Sequence, residues 1–207
     1  INYRDWSSDV CSSDLALNNN TGTIHLSNLC TEITLPQDKD NIATCNLISI
    51  NLSAFLNEDK TWDWDRLKEA TRAAIRQLDN LVDITQTPIP EAMHSNKQTR
   101  AIRLGVMGFT DVLEKLSICY ESNEAYDLID QLTEFISYHA IDQSADLAAE
   151  LGSYPAYKGS GWSKGVLPID TLETLSDSRK LKVKVDHKTR DRKRDRKSTR
   201  LNSSHGS

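Results

Sequence analysis

The sequence predicts an α/β chain in which extended segments come first and helices follow. Residues 23–35 and 43–53 are rich in Ile, Leu and Thr, side chains that suit a strand. Three later tracts repeat apolar residues at helical spacing. Turn-forming residues and prolines separate these tracts.

In order along the chain, Pro36-Gln37-Asp38-Lys39-Asp40-Asn41 is a polar turn between the two extended segments. Leu67, Ala70, Ala74, Leu78, Leu81 and Val82 predict a helix over residues 62–83, which Pro88 and Pro90 stop. A second helix is predicted over 99–117, with Leu104, Gly108, Val112, Leu113 and Leu116 on one side. Gly105 and Gly108 weaken it. They read as points of close backbone packing rather than a phosphate loop, because no strand–turn–helix context is evident. A third helix is predicted over 123–151, with Leu128, Leu132, Phe135, Ile136, Leu147 and Leu151 inside and Gly152 as its cap. The Gly- and aromatic-rich stretch 154–170 reads as a loop whose rings are packing anchors.

The two ends read differently. Residues 5–15 are DWSSDVCSSDL and residues 195–204 are DRKSTRLNSS. One legal back-translation of the first, taken on the opposite strand, translates as the second. The underlying DNA string resembles a common short-read library adapter. Residues 1–15 and 191–207 are therefore expected to be translated adapter, one copy in each orientation, and are set aside before fold reasoning. Residues 16–190 are expected to be a piece of a catalytic domain whose natural neighbours are missing.

This changes what the charge means. The whole chain carries 25 Lys and Arg against 30 Asp and Glu, a net charge of −5. Its basic tail would invite a nucleic-acid reading, but six of the eleven Lys and Arg of residues 180–200 fall within 191–207. The remainder, 180–185, lacks aromatic partners for base stacking, so no nucleic-acid partner is expected. No segment is long and apolar enough for a membrane span. Setting Cys11 aside leaves Cys30, Cys45 and Cys119, without the spacing of a disulfide framework. A reducing, cytoplasmic setting is the default. No metal-ligand spacing is present, since CxxC and HxxxH pairs are lacking.

The most informative residues are Ser27-Asn28-Leu29-Cys30-Thr31-Glu32. Asn28, Cys30 and Glu32 alternate at every second position. In an extended segment an amide, a thiol and a carboxylate would then face one small volume. Taken singly, such a cysteine is usually a small buried hydrophobe, and Asn and Glu are usually exposed.

The strings SNLCTEITLP and CNLISINL, followed by LDNLVDITQTPIPEA, RLGVMGFTDVL and GSGWSKGVLPID, resemble the large (α) subunit of class I ribonucleotide reductase in colinear order. The resemblance covers residues 21–175. It implies part of a ten-stranded α/β barrel, helix-rich in this piece, with Cys30 on a loop through the barrel centre. The implied activity is radical reduction of ribonucleoside diphosphates to 2′-deoxyribonucleotides for DNA synthesis. Cys30 would be the thiyl radical that takes the 3′-hydrogen. Glu32 would be the base on the 3′-hydroxyl, and Asn28 would hydrogen-bond the substrate. Ser27, Asn28, Leu29, Cys30, Thr31 and Glu32 would line the substrate. Cys45 would be one member of the reducing cysteine pair, its partner lying upstream of this sequence. Cys119 matches no functional position and is read as structural, on a helix.

The resemblance further implies a separate metal-containing small (β) subunit as radical source, thioredoxin or glutaredoxin as reductant, and a homodimer of large subunits. ATP and deoxynucleotide effectors would bind parts absent here, so no cofactor is expected on this piece and the piece alone is expected to be inactive. An adenosylcobalamin-dependent class II reductase is the nearest alternative. Rivals of other classes are a cysteine hydrolase using His25, His94 or His139 as base, a zinc module on Cys30 and Cys45, and a non-catalytic helical interaction domain. The last explains residues 62–151 but leaves the first fifty without a role.

Overall fold

The computed structural model describes Ile24, residues 35–166 and the backbone of Asn202–Ser203. The element order is β1 (Asn46–Asn51), α1 (Trp64–Ile84), α2 (Pro90–Thr99), β2 (Ala101–Met107), α3 (Phe109–Leu116), α4 (Asn123–Leu151) and β3 (Asn202–Ser203). Short 3-10 turns occupy Leu52–Phe55, Pro155–Tyr157 and Trp162–Lys164. β1 pairs in parallel with β2, in the register Asn46 to Ile102 through Asn51 to Met107. Parallel neighbours need a crossover between them, and α1 and α2 supply it. β3 adds a two-residue parallel rung to β2. It falls in the stretch expected to be adapter. A backbone ladder uses no side chains, so this pairing says nothing about the origin of those residues.

α1 begins where Asp63 accepts the Arg66 N–H at 3.0 Å. α4 begins where Ser122 Oγ accepts the Ala125 N–H at 3.2 Å. These caps satisfy amides that the first helical turn leaves without partners. α1 and α4 run side by side in the same direction. Trp64 meets Phe135 at one end, with ring centroids 4.7 Å apart. Arg72 then bridges Asp142 and Asp146, each at 2.6 Å. Arg76 reaches Glu150 at 2.6 Å near the other end. The core beneath is two clusters. One gathers Ile50, Leu52, Phe55, Leu67, Val112, Leu132 and Ile136, and the other Ile75, Leu78, Val82, Ile102, Ala140 and Leu147. Leu104 of β2 packs against both.

The sheet has two unlike faces. Asn46, Ile48 and Ile50 of β1 turn toward the helices with Ile102 and Leu104 of β2. Leu47, Ser49 and Asn51 lie on the other face, level with Arg103, Gly105 and Met107. Leu47 is 51% exposed and Met107 56%. Parallel sheets are ordinarily covered on both sides. A parallel pair with helices on one side and exposed apolar residues on the other is a wall of a larger α/β assembly.

Two expectations change. Residues 99–117 are not one helix. Residues 101–107 are a strand, Gly108 has φ 75°, and only Phe109–Leu116 is helical. The signal was present: Ile102, Leu104 and Val106 alternate as strand residues do, and the two glycines disfavour a helix. The strand–turn–helix context absent from the sequence reading is therefore present. Its glycine still serves close packing, since a Cβ at Gly108 would collide with the Asn51 carboxamide. α2 was not foreseen. Pro88 and Pro90 do end α1, but Pro90 then opens α2 at its first turn, where its missing N–H is no loss.

Other expectations hold or shift slightly. Asp38 makes the expected turn by accepting the N–H groups of Asp40 and Asn41 at 2.8 and 2.9 Å. The third helix has the expected bounds, and the Gly152 N–H caps it on Ala148 O. Leu151, expected inside, is 49% exposed because it is the last helical residue. Tyr154 is a buried anchor, as expected of the loop rings. In the second extended segment the strand is confined to Asn46–Asn51, and Leu52 turns into a 3-10 helix.

The junction of α2 and β2 is held by Arg100, at φ 47° and almost wholly buried. Its guanidinium donates to Asp79 Oδ1 from Nε at 3.0 Å and from Nη2 at 2.5 Å. It also donates to Asp79 O at 2.8 Å and to Asp83 at 2.7 and 3.0 Å. Burial by itself would lower the Arg100 pKa, but the bonds to Asp83 and Asp79 outweigh it and hold it above its ordinary value. Removing the cation leaves Asp79 buried without its charge partner. Arg100→Ala is therefore expected to lower the unfolding free energy by about 3–5 kcal/mol. Urea unfolding of the chain and its variant checks this.

Candidate functional site

Ser27, Asn28, Leu29, Cys30, Thr31 and Glu32 lie outside the described residues, as does His25. Of the candidate residues carrying chemistry, Cys45 is described. It immediately precedes β1 and is half-buried, with Sγ 3.8 Å from Asn46 O. Carrying the strand alternation back one residue places Cys45 on the face of Leu47, Ser49 and Asn51, the uncovered one.

Its neighbour Asn46 points the opposite way and is buried. Asn46 Nδ2 donates to Asn96 Oδ1 at 3.0 Å. Asn96 Nδ2 in turn donates to Val82 O at 3.2 Å. Thr85 Oγ1 lies 3.5 Å from Asn46 Oδ1 as its donor. The start of β1 is thus tied to the end of α1 and to α2. Sequence reasoning missed this network, because Asn46, Thr85 and Asn96 are far apart in the chain and each resembles an ordinary surface residue.

Cys119 lies in the turn after α3 and is exposed, not on a helix. Its carbonyl accepts Ser122 Oγ at 2.6 Å. His94 is exposed on α2. His139 sits on α4 with its ring edge-on to Phe135 and Tyr138, at centroid distances of 4.5 and 5.1 Å. Its Nδ1 is buried without a hydrogen bond. No group of three or more His, Cys, Asp or Glu gathers into a metal-binding set among the described residues. No helix among them is long and apolar enough to cross a membrane.

A parallel strand pair joined by a helical crossover, with helices on one side and a cysteine at the edge of the other, is an α/β unit of the kind from which barrels and open sheets are both built. The family described as ribonucleotide reductase, barrel domain, matches residues 7–203, and the chain belongs to that family. The ribonucleoside-diphosphate reductase subunit alpha of Chlamydia pneumoniae is 48% identical over 158 residues, covering 76% of this chain and 15% of the relative. The large subunit of the Danio rerio enzyme is 41% identical over 154 residues, 74% of this chain and 19% of the relative. That of Variola virus is 42% identical over 151 residues, 73% of this chain and 20% of the relative. The chain thus spans between 15% and 20% of the length of these relatives. The class II reductase and helical interaction-domain readings are not favoured by these relatives.

His139 gives this region a titration signature. Burial lowers its pKa below 6.5, Lys68 and Arg72 lower it further, and Asp142 opposes them. The folded chain therefore holds the proton less tightly than the unfolded one. The sign follows: this contribution to stability is complete above about pH 6.5 and is lost as pH falls toward the folded-state value. His139→Gln is expected to flatten the fall in melting temperature on acidification below that pH, as calorimetry across a pH series would read.

Proposed function

We propose that the chain is the part of a class I ribonucleoside-diphosphate reductase large subunit that carries the reactive cysteine loop and one reducing cysteine. The observation that carries this is the 41–48% identity to ribonucleoside-diphosphate reductase large subunits of a bacterium, a fish and a virus. The uncovered sheet face, with Cys45 at its edge, gives such a loop a wall to lie against.

The 2′-hydroxyl of a ribonucleotide is a poor leaving group on an unactivated carbon, and a radical at the neighbouring carbon overcomes that. The oxidising equivalent comes from a separate metal-containing small subunit, since one-electron chemistry of this kind needs a cofactor. Cys30, as thiyl, takes the 3′-hydrogen. Glu32 takes the 3′-hydroxyl proton, for which a carboxylate two residues from the thiol is suitably spaced. Asn28 hydrogen-bonds the substrate, and the backbone from Ser27 through Leu29 and Thr31 lines it. The 2′-hydroxyl then leaves as water. Two electrons and two protons come from Cys45 and a second cysteine outside this sequence, which close to a disulfide. Glu32 returns its proton to the 3′-oxygen, and Cys30 returns the 3′-hydrogen and is a thiyl again.

Thioredoxin or glutaredoxin reopens the disulfide. A homodimer of large subunits, ATP and deoxynucleotide effectors bound elsewhere, and a cytoplasmic setting belong to the same reading. So does the assignment of 1–15 and 191–207 to adapter and of 16–190 to the barrel.

In the intact parent enzyme, Cys30→Ser is expected to reduce turnover to background while nucleotide binding, read by equilibrium dialysis, stays unchanged. Normal turnover in that variant would sink the assignment. Cys45→Ser is expected to remove turnover driven by thioredoxin or glutaredoxin, as measured by deoxynucleotide formed over many cycles.

A further inference from the structure

The network behind Cys45 has a consequence for the thiol itself. Asn46 and Cys45 are consecutive, so they face opposite sides of the strand entry. Whatever holds Asn46 also sets the backbone from which Cys45 projects. Asn46 is held by Asn96 at 3.0 Å, and Asn96 by the Val82 carbonyl at 3.2 Å. Both asparagines are buried, at 9% and 3% exposure. A buried amide pair of this kind is expensive to break, because each lost bond strands a desolvated polar group. On the other side of Cys45, the Thr44 hydroxyl is buried and makes no hydrogen bond, so it contributes no anchor of its own. Asn96 is itself fixed: the Arg100 N–H bonds Asn96 O at 2.9 Å, and the Arg100 guanidinium is locked on Asp79 and Asp83. A rigid chain of bonds therefore runs from the core of α1 to the residue beside the thiol.

We propose that Asn96 is a positioning residue for Cys45, acting through its paired bonds to Asn46 and Val82 to fix where the thiol enters the uncovered face of the sheet. The proposal rests on the reading of Cys45 as a reducing cysteine. A thiol that must meet a second sulfur within bonding distance needs such a fixed origin, since disulfide closure tolerates little displacement.

The test is maleimide labelling of the reduced 207-residue chain, with each cysteine followed separately by mass spectrometry. The exposed Cys119 is the internal reference. Asn96→Ala and Asn46→Ala are each expected to raise the Cys45 rate relative to Cys119 by about fivefold, the change in local opening that one lost hydrogen bond confers. Combined in one chain, the two substitutions are expected to give less than the product of their separate effects, because the Asn46–Asn96 bond is lost in both. Asn96→Ser, which is smaller and keeps a hydroxyl, is read in the same way if the alanine variant does not fold. An unchanged ratio, an additive double variant, or acceleration of all cysteines together with a lowered unfolding midpoint would overturn the proposal. The two readings fail separately. Normal turnover of the parent's Cys45→Ser variant removes the reducing role, whereas the labelling ratio reports the anchoring in either case.

Discussion

The buried charge cluster of Arg100, Asp79 and Asp83 is the constraint around which the described fold is arranged. A parallel strand pair needs its chain to leave one end of the sheet, cross over and re-enter at the same end. Here the crossover contains two helices rather than one, and their relative placement has to be set by something. Arg100 sits at the point where α2 stops and β2 starts, and its guanidinium bonds side-chain and backbone oxygens of α1. Its left-handed backbone breaks the helix. For a non-glycine residue that conformation is strained. The buried bonds hold it. One side chain therefore decides where α2 ends, where β2 begins and how both lie against α1.

From that junction the two faces of the sheet follow. β2 is delivered beside β1 with Ile102 and Leu104 facing the helices, where they close the core with Ile75, Leu78 and Val82. The same placement brings Asn96 within reach of Asn46. The opposite face keeps Leu47 and Met107 exposed. In a barrel such a face is interior, and interior faces are where a reactive group is shielded from water. The Asn46–Asn96 bond thus lies on the helix side, and Cys45 is left to the other.

Legibility in the sequence depended on how local each signal was. The bounds of α4 and its Gly152 cap could be read directly, because capping and period belong to one segment. The core side of α1 was legible for the same reason. The strand Ala101–Met107 was misread, since Leu104 and Val112 fit a helical period by coincidence and masked the alternation of Ile102, Leu104 and Val106 that pairing with β1 uses. α2 was missed because a proline that ends one helix can open another. Arg100 and Asn96 were invisible as structural residues, their partners lying 21 and 50 positions away.

The sequence by itself determined the family: the colinear strings around Cys30 and Cys45 are matters of residue type and spacing, and the Asn28–Cys30–Glu32 alternation is the pattern on which the proposed chemistry rests. Tertiary structure alone decided which face of β1 is structural and which is open. Alternation divides a strand into two faces without saying which one is buried. That choice was made by helices that pack on one side and by a buried arginine that holds them there.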